Sequence, residues 1–311
     1  MAETKQNVVV FGGSGFLGSH VADALSTRGH AVTVFDRRPA PWLRSDQRFV
    51  SGDVRDLDQV ERAVRGADVV YHFAAIADIE EAAARPLETI QVNVLGTTHV
   101  LEMCRRHGVG RFVFASTIYV YSDLGLFYRS SKQACEKIIE DYQHRFGLDF
   151  TILRFGSLYG PRAPATNSVQ RYVTQALREG KIAREGTGAE IREYVHVLDA
   201  AEGSVRVLAE EFRNQFVMIT GPRAIPVREL LATIQEIMEE PVEIEYRPAV
   251  ESSHYEVTPY AYRPRLARKL VLDRHVELGQ GVLDLLYETQ DRLEAAGDTP
   301  RIHLHARPSR P

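Results

Sequence analysis

Apolar runs of a strand's length recur through the first half of the chain: "NVVVF" (7–11), "AVTVF" (31–35), "RFVSG" (48–52), "DVVYHF" (68–73), "RFVFAS" (111–116) and "FTILRF" (150–155). Their length and Val/Ile/Phe content suit strands covered on both faces. Helical spacing fills the gaps, at 16–28, 56–65, 86–107 and 128–145. Gly29, Gly66, Gly108 and Gly147 stand where those helices must end, the position at which a left-handed residue commonly closes a helix. This alternation predicts an α/β fold built on a doubly wound parallel sheet. After Gly160 the pattern loosens. One helical piece (168–179) lies in a polar stretch, and "FVMIT" (216–220), a helix at 227–239 and "VEIEY" (242–246) follow. We therefore expect a first domain over 1–160, completed by about 193–220, and a smaller C-terminal α/β substrate domain over 161–192 and 221–295. Residues 251–265 read as irregular and 296–311 as a tail.

Composition narrows the class. Of 311 residues, 44% are apolar and 26% charged, enough for a core without disulfides or metals. The net charge of −4 is spread along the chain, and no basic block points to nucleic acid or to a membrane surface. Cys104 and Cys135 lie in helical stretches without metal-ligand spacing and read as small buried hydrophobes in a reducing compartment. His303 and His305 lack further ligands, so no metal is expected. The polar Met1–Asn7 and the absence of a membrane-length apolar run predict a cytoplasmic protein.

The first strand runs into "GGSGFLG", where Gly12, Gly15 and Gly18 form G-x-x-G-x-x-G at the opening of the first helix. A tight turn, a backbone that approaches a pyrophosphate and a helix packed close on its strand each require glycine. Helix-opening N–H groups, with Phe16 and Leu17 at the start, then face the phosphates of a dinucleotide. A plain strand-to-helix turn would need only one or two glycines. The second strand ends in Asp36, 18 residues after Gly18, where a carboxylate accepts the adenosine ribose hydroxyls. It favours NAD over NADP, although Arg37 and Arg38 follow. Together these features predict a Rossmann-type NAD site.

In "LFYRSSKQACEKIIEDY" Tyr128 and Lys132 stand four residues apart on one helical face. Alone, that spacing reads more readily as the rim of an amphipathic helix. It gains weight from its company: "GDVRD" (52–56), "HFAA" (72–75), "NVLGT" (93–97), "FVFAST" (112–117), "LRFGSLYGPR" (153–162) and "REYVHVLDAA" (192–201). In this order the motifs resemble the extended short-chain dehydrogenases/reductases, in particular the NAD-dependent nucleotide-sugar epimerase/dehydratase group, from residue 7 to about 200. The resemblance implies Thr117, Tyr128 and Lys132 as catalytic residues. It places Asp53 and Val54 at the adenine, Ala74 and Ala75 along the cofactor, and Asn93 as a scaffold group, with Tyr128 and Lys132 also touching NAD. It further implies Thr117, Tyr119, Ser157 and Arg192 at the substrate, Arg192 meeting its diphosphate. Lys132 and the positive nicotinamide are expected to lower the Tyr128 phenol from its usual value near 10.

Two departures bear on the reaction. Where the 4,6-dehydratases carry an Asp-Glu pair after the catalytic Thr, this chain has Ile118 and Tyr119. The loop between Thr117 and Tyr128 is also shorter than in most relatives, and Ser157 replaces a common asparagine. The resulting expectation is epimerisation of a nucleotide-diphosphate sugar, at C4 through a transient 4-keto sugar. A dehydratase, decarboxylase or dehydrogenase of a similar sugar is the alternative, and a non-catalytic NAD-binding regulatory protein the second. The resemblance also implies a homodimer through the helices at 95–107 and 130–145, with Val100, Met103, Ile138 and Tyr142 read as apolar positions beyond the core-facing stripe.

Overall fold

In the computed structural model, residues 5–237 and 241–248 are described. β1 (Asn7–Phe11), α1 (Phe16–Thr27), β2 (Ala31–Asp36), β3 (Arg48–Ser51), α2 (Leu57–Val64) and β4 (Val69–His72) come first. α3 (Ile79–Ala84) and α4 (Pro86–Thr89) lead into a π-helical segment (Ile90–Leu95) that continues as α5 (Gly96–His107). β5 (Arg111–Thr117), a 3₁₀ turn (Ile118–Tyr121), α6 (Leu126–Phe146), β6 (Phe150–Phe155) and β7 (Ser157–Tyr159) follow. The remainder comprises α7 (Ser168–Glu179), β8 (Lys181–Glu185), β9 (Ile191–Arg192), β10 (Tyr194–His196), α8 (Val197–Arg206), β11 (Gln215–Ile219), β12 (Ile225–Pro226), α9 (Val227–Ile237) and β13 (Glu243–Arg247).

A seven-stranded sheet runs β11-β6-β5-β4-β1-β2-β3, all parallel. The strand order reverses between β1 and β4, the crevice where doubly wound sheets bind their ligands. Alternation along β1 feeds two cores. Val9 and Phe11 join the core shared with α5 and α6, while Val8 and Val10 join the core under α1 and α8. A third, separate apolar cluster joins Tyr172, Ile182, Val227 and Leu231 where α7 and α9 meet the parallel pair β8 and β13. The stretches 251–265 and 296–311, and the part of the expected substrate domain beyond residue 248, lie outside the described residues.

One reading from the helix faces is corrected. Val100 and Met103 have no exposed surface and belong to the intrachain core. Ile138 and Tyr142 pack partly buried against the same core, and the Tyr142 hydroxyl donates to Glu102 at 3.4 Å. The reason is position: α5 is flanked by α2 and α6 and backed by β4, so its lateral faces close within the chain. The exposed apolar residues of this layer include Leu87, Ile90, Leu95, Leu126, Phe127 and Phe146. Among the described residues no helix is long and apolar enough to cross a membrane.

Candidate active site

The loop after β1 shows why its glycines are there. Gly12 has φ +77°, and a Cβ on it would stand 2.5 Å from the backbone nitrogen of Ala74. A Cβ on Gly18 would stand 2.2 Å from the Gly12 carbonyl oxygen, so α1 packs directly on the turn. Gly15, which precedes α1, is exposed and meets nothing closer than the Gly12 oxygen at 3.2 Å. A side chain there would fill the open cradle in front of the helix N-terminus, the place a pyrophosphate requires. Phe16 packs edge-on against His20 at 6.3 Å, and the Leu17 side chain is buried in the α1 core. Only the backbone of Leu17 is thus left to face the cradle.

The residues expected at the adenosine come from three loops. Asp36 accepts hydrogen bonds from the N–H groups of Ser14 and Arg38, each at 3.2 Å. Arg37 turns toward Asp53, 4.0 Å away. Asp53 is also held by Arg55 at 2.6 Å, and that hydrogen bond keeps its carboxyl below the usual range. The Val54 side chain is buried against Gly96, where an added Cβ would lie 2.7 Å from it. Ala74 and Ala75 follow β4, half-buried beside Gly12.

Asn93 sits in the π-helical segment, a conformation often found at functional sites. Its amide clamps the Ile76 backbone through bonds of 2.8 and 3.0 Å, and it donates to the Ser131 hydroxyl at 3.0 Å. Ser131 in turn donates to the Tyr128 carbonyl at 2.7 Å, tying the loop after β4 to α6. Ser131 was not among the residues singled out in the sequence.

Thr117 ends β5, and its hydroxyl faces the Tyr128 phenol closely enough to favour the ionised form. The same oxygen accepts the Tyr119 N–H at 3.2 Å and so caps the 3₁₀ turn. Lys132, buried one turn along α6, donates to the Ala115 carbonyl at 2.7 Å. Its ammonium lies 4.6 Å over the Phe114 ring and 5.9 Å from that of Tyr128. Burial pushes the Tyr128 phenol up to about 12, opposed by the Thr117 hydroxyl, and pushes Lys132 down to about 8. The expected lowering of the phenol by Lys132 and the nicotinamide concerns the cofactor-bound site; within the chain itself the ammonium is turned to the Ala115 carbonyl. Ile118 is 1% exposed and fully in the core. The Tyr119 ring packs on Gly125, whose added Cβ would lie 2.8 Å from it.

Ser157 and Arg192 lie further out. Ser157 opens β7, and its N–H donates to the Glu193 carbonyl at 2.9 Å. Arg192, on β9, is buried and donates to the Ile191 carbonyl at 2.8 Å. Among the described residues no group of His, Cys, Asp and Glu is placed to hold a metal. The sequence reading missed Glu136 and Arg154, which pair beside Lys132 at 2.6 Å. A carboxylate one turn beyond Lys132 on an apolar face was the available signal.

A family model described as the NAD dependent epimerase/dehydratase family matches residues 8–218. The chain belongs to that family. UDP-glucuronic acid decarboxylase 2 of Arabidopsis thaliana is 30% identical over 92% of this chain and 68% of its own. The crystal structure of Thermus thermophilus UDP-glucose 4-epimerase with NAD is 25% identical, has a TM-score of 0.75, and covers 96% of this chain and 95% of its own. A double mutant of Streptomyces venezuelae dTDP-glucose 4,6-dehydratase, also with NAD, is 26% identical with a TM-score of 0.75, covering 93% and 99%. As a member of this epimerase/dehydratase family, the protein is an NAD-dependent enzyme of the extended short-chain dehydrogenase/reductase type. The glycine cradle and Asp36 stand at the carboxyl ends of β1 and β2 and Thr117 at that of β5, on one edge of the sheet, and with Tyr128 and Lys132 they fit that cofactor.

Proposed function

We propose that this enzyme epimerises a nucleotide-diphosphate sugar at C4. The observation that carries the reading is the cluster of Thr117, Tyr128 and Lys132, with the Lys132 ammonium 5.9 Å from the Tyr128 ring and no acid or base at Ile118. Bound NAD supplies hydride exchange and a positive charge beside the phenol. Thr117 holds the C4 oxygen of the sugar against the Tyr128 hydroxyl. Tyr128 takes the C4 hydroxyl proton and later returns it, so that proton balance closes at one residue. Lys132 keeps a positive charge under the phenolate. Gly12, Gly15, Phe16, Leu17, Asp36, Arg37, Asp53, Val54, Ala74, Ala75 and Asn93 form the proposed NAD site, and Tyr119, Ser157 and Arg192 line the sugar-nucleotide side.

Dehydration would need a base for the C5 proton and an acid for the leaving hydroxyl. Ile118 offers neither and is turned into the core, and Tyr119 alone cannot serve as both. The relatives include a 4,6-dehydratase and a decarboxylase, so the test must separate three outcomes. We would incubate the purified enzyme with UDP-glucose, UDP-glucuronic acid and dTDP-glucose in heavy water and identify the products by mass and NMR spectra. The proposal expects a C4 epimer with no deuterium at C5 or C6 and no net NADH. Deuterium at C5 or C6 with a 4-keto-6-deoxy product would replace it with dehydration, and carbon dioxide from UDP-glucuronic acid with decarboxylation.

A further inference from the structure

Three consecutive residues at the end of β5 each receive a different side chain of α6. The Ala115 carbonyl takes Lys132 at 2.7 Å, the Ser116 hydroxyl donates to Glu136 at 2.6 Å, and the Thr117 hydroxyl meets Tyr128. Tyr128, Lys132 and Glu136 are spaced i, i+4 and i+8, one helical stripe. The reaction proposed above uses the first two. Glu136 has no part in it, yet it is the one anchored from behind.

Arg154 supplies that anchor. It stands opposite Ser116 in the register of β5 and β6. Its guanidinium grips both oxygens of Glu136, at 3.0 and 2.6 Å. It also donates to the Tyr121 hydroxyl and lies between two rings, 4.7 Å from that of Tyr121 and 4.6 Å from that of Phe216. Both partners are largely buried, with side chains 16% and 7% exposed. Apolar residues of similar volume commonly serve stability as well as a buried ion pair does. A planar, bidentate pair adds a directional constraint on the sliding position of the helix along the strand, beyond what packing alone supplies.

We propose that Glu136 and Arg154 are positioning residues for the reaction, setting the register in which Thr117 faces Tyr128 and Lys132. The inference rests on the proposed chemistry of those three groups. Without the pair, α6 would be aligned on β5 only by groups that exchange or steady a proton during turnover. Tyr121, held by the same guanidinium, also fixes the turn that carries Ile118 and Tyr119.

The test uses holoenzyme and whichever of UDP-glucose, UDP-glucuronic acid or dTDP-glucose the wild type turns over fastest. Arg154→Lys keeps the charge and loses the fork. We expect kcat to fall about tenfold, with wild-type melting temperature, NAD content and pH profile. The double variant Glu136→Gln/Arg154→Met removes the pair and keeps the packing between the rings. Its kcat should fall about 10²-fold with KM within about threefold, the scale of an ångström of misplacement. Because Glu136 supports the charge of Lys132, the alkaline limb of its kcat–pH profile should also move down by about half a unit or more. Wild-type kcat in Arg154→Lys, or a double variant whose loss tracks its NAD content with the alkaline limb unmoved, overturns the inference. Should the double variant not fold, Arg154→Lys decides alone. Tyr128→Phe separates the layers: if it remains active, or if no sugar is turned over by the wild type, the underlying reading fails and the inference with it. If Tyr128→Phe is inactive while both pair variants match wild type, only the inference fails.

Discussion

His72 should make the fold acid-sensitive between pH 8 and pH 5. It ends β4 inside a cage of Phe11, Phe112 and Phe114, with ring centroids 6.0, 6.1 and 6.0 Å away. Its Nε2 lies 3.0 Å from the Thr97 hydroxyl, which spends its own proton on the Asn93 carbonyl at 2.5 Å. Nε2 must therefore be the protonated nitrogen. Nδ1 is buried with no partner, so a second proton would have no acceptor. Burial, with the nearby charge of Lys132, pushes the pKa down to about 3. The unfolded chain takes a proton below about 6.5 and the folded one does not until about 3, so this stability is complete above 6.5 and drains as pH falls. At pH 5 the deficit relative to pH 8 is RT ln(1 + 10^1.5), about 2 kcal/mol. His20, also lowered by burial, adds in the same direction. Carboxylates held low by arginines, such as Glu102 at about 2, contribute mainly below that window. Urea unfolding of the wild type and His72→Gln at pH 8 and pH 5 measures the effect. The wild type should lose about 2 kcal/mol more than the variant between the two pH values. Equal losses would refute the reasoning.

Tyr128→Phe should lower kcat by about 10²–10⁴-fold while NAD stays bound, because only the proton-holding oxygen is removed; activity within a few-fold of wild type would count against Tyr128 as the base. Gly15→Val should emerge from purification depleted of NAD with a near-normal melting temperature, since its new side chain enters the open cradle; full NAD occupancy would remove the loop from the cofactor site. Gly12→Ala should instead lower the melting temperature, because its Cβ meets the Ala74 backbone at 2.5 Å in a left-handed turn; unchanged stability would speak against that contact. A homodimer is expected through the layer that exposes Leu87, Leu95 and Phe146; light scattering at micromolar concentration that gives a monomer would reject it.

The sheet was legible because strands buried on both faces leave unbroken apolar runs, and the predicted strands at 7–11 and 150–155 match β1 and β6 residue for residue. α8 was not, since Gly203 interrupts its helical pattern. The structure shows the reason for that glycine: an added Cβ would come within 3.3 Å of Ile219. β9 and β10 are too short, at two and three residues, to leave any periodicity. In the site, Thr117, Tyr128 and Lys132 could be named from spacing and resemblance. The Glu136–Arg154 pair could not, because it depends on the register of Ser116 against Arg154 across two strands. Spacing likewise places Lys132 a turn from Tyr128 but does not show its ammonium turned to the Ala115 carbonyl.

The π-helical turn at Ile90–Leu95 makes this stretch more tolerant of losing a residue than of losing Asn93. A wide turn holds one more residue than an α-helical turn of the same rise. Removing one residue would let the turn tighten to α-helical geometry, with Gly96 still against Val54 and Thr97 still beside His72. What the tightening would displace is Asn93, and with it the clamp on Ile76 and the bond to Ser131. A single-residue deletion here should therefore keep the helix that follows and lose the tie between the loop after β4 and α6.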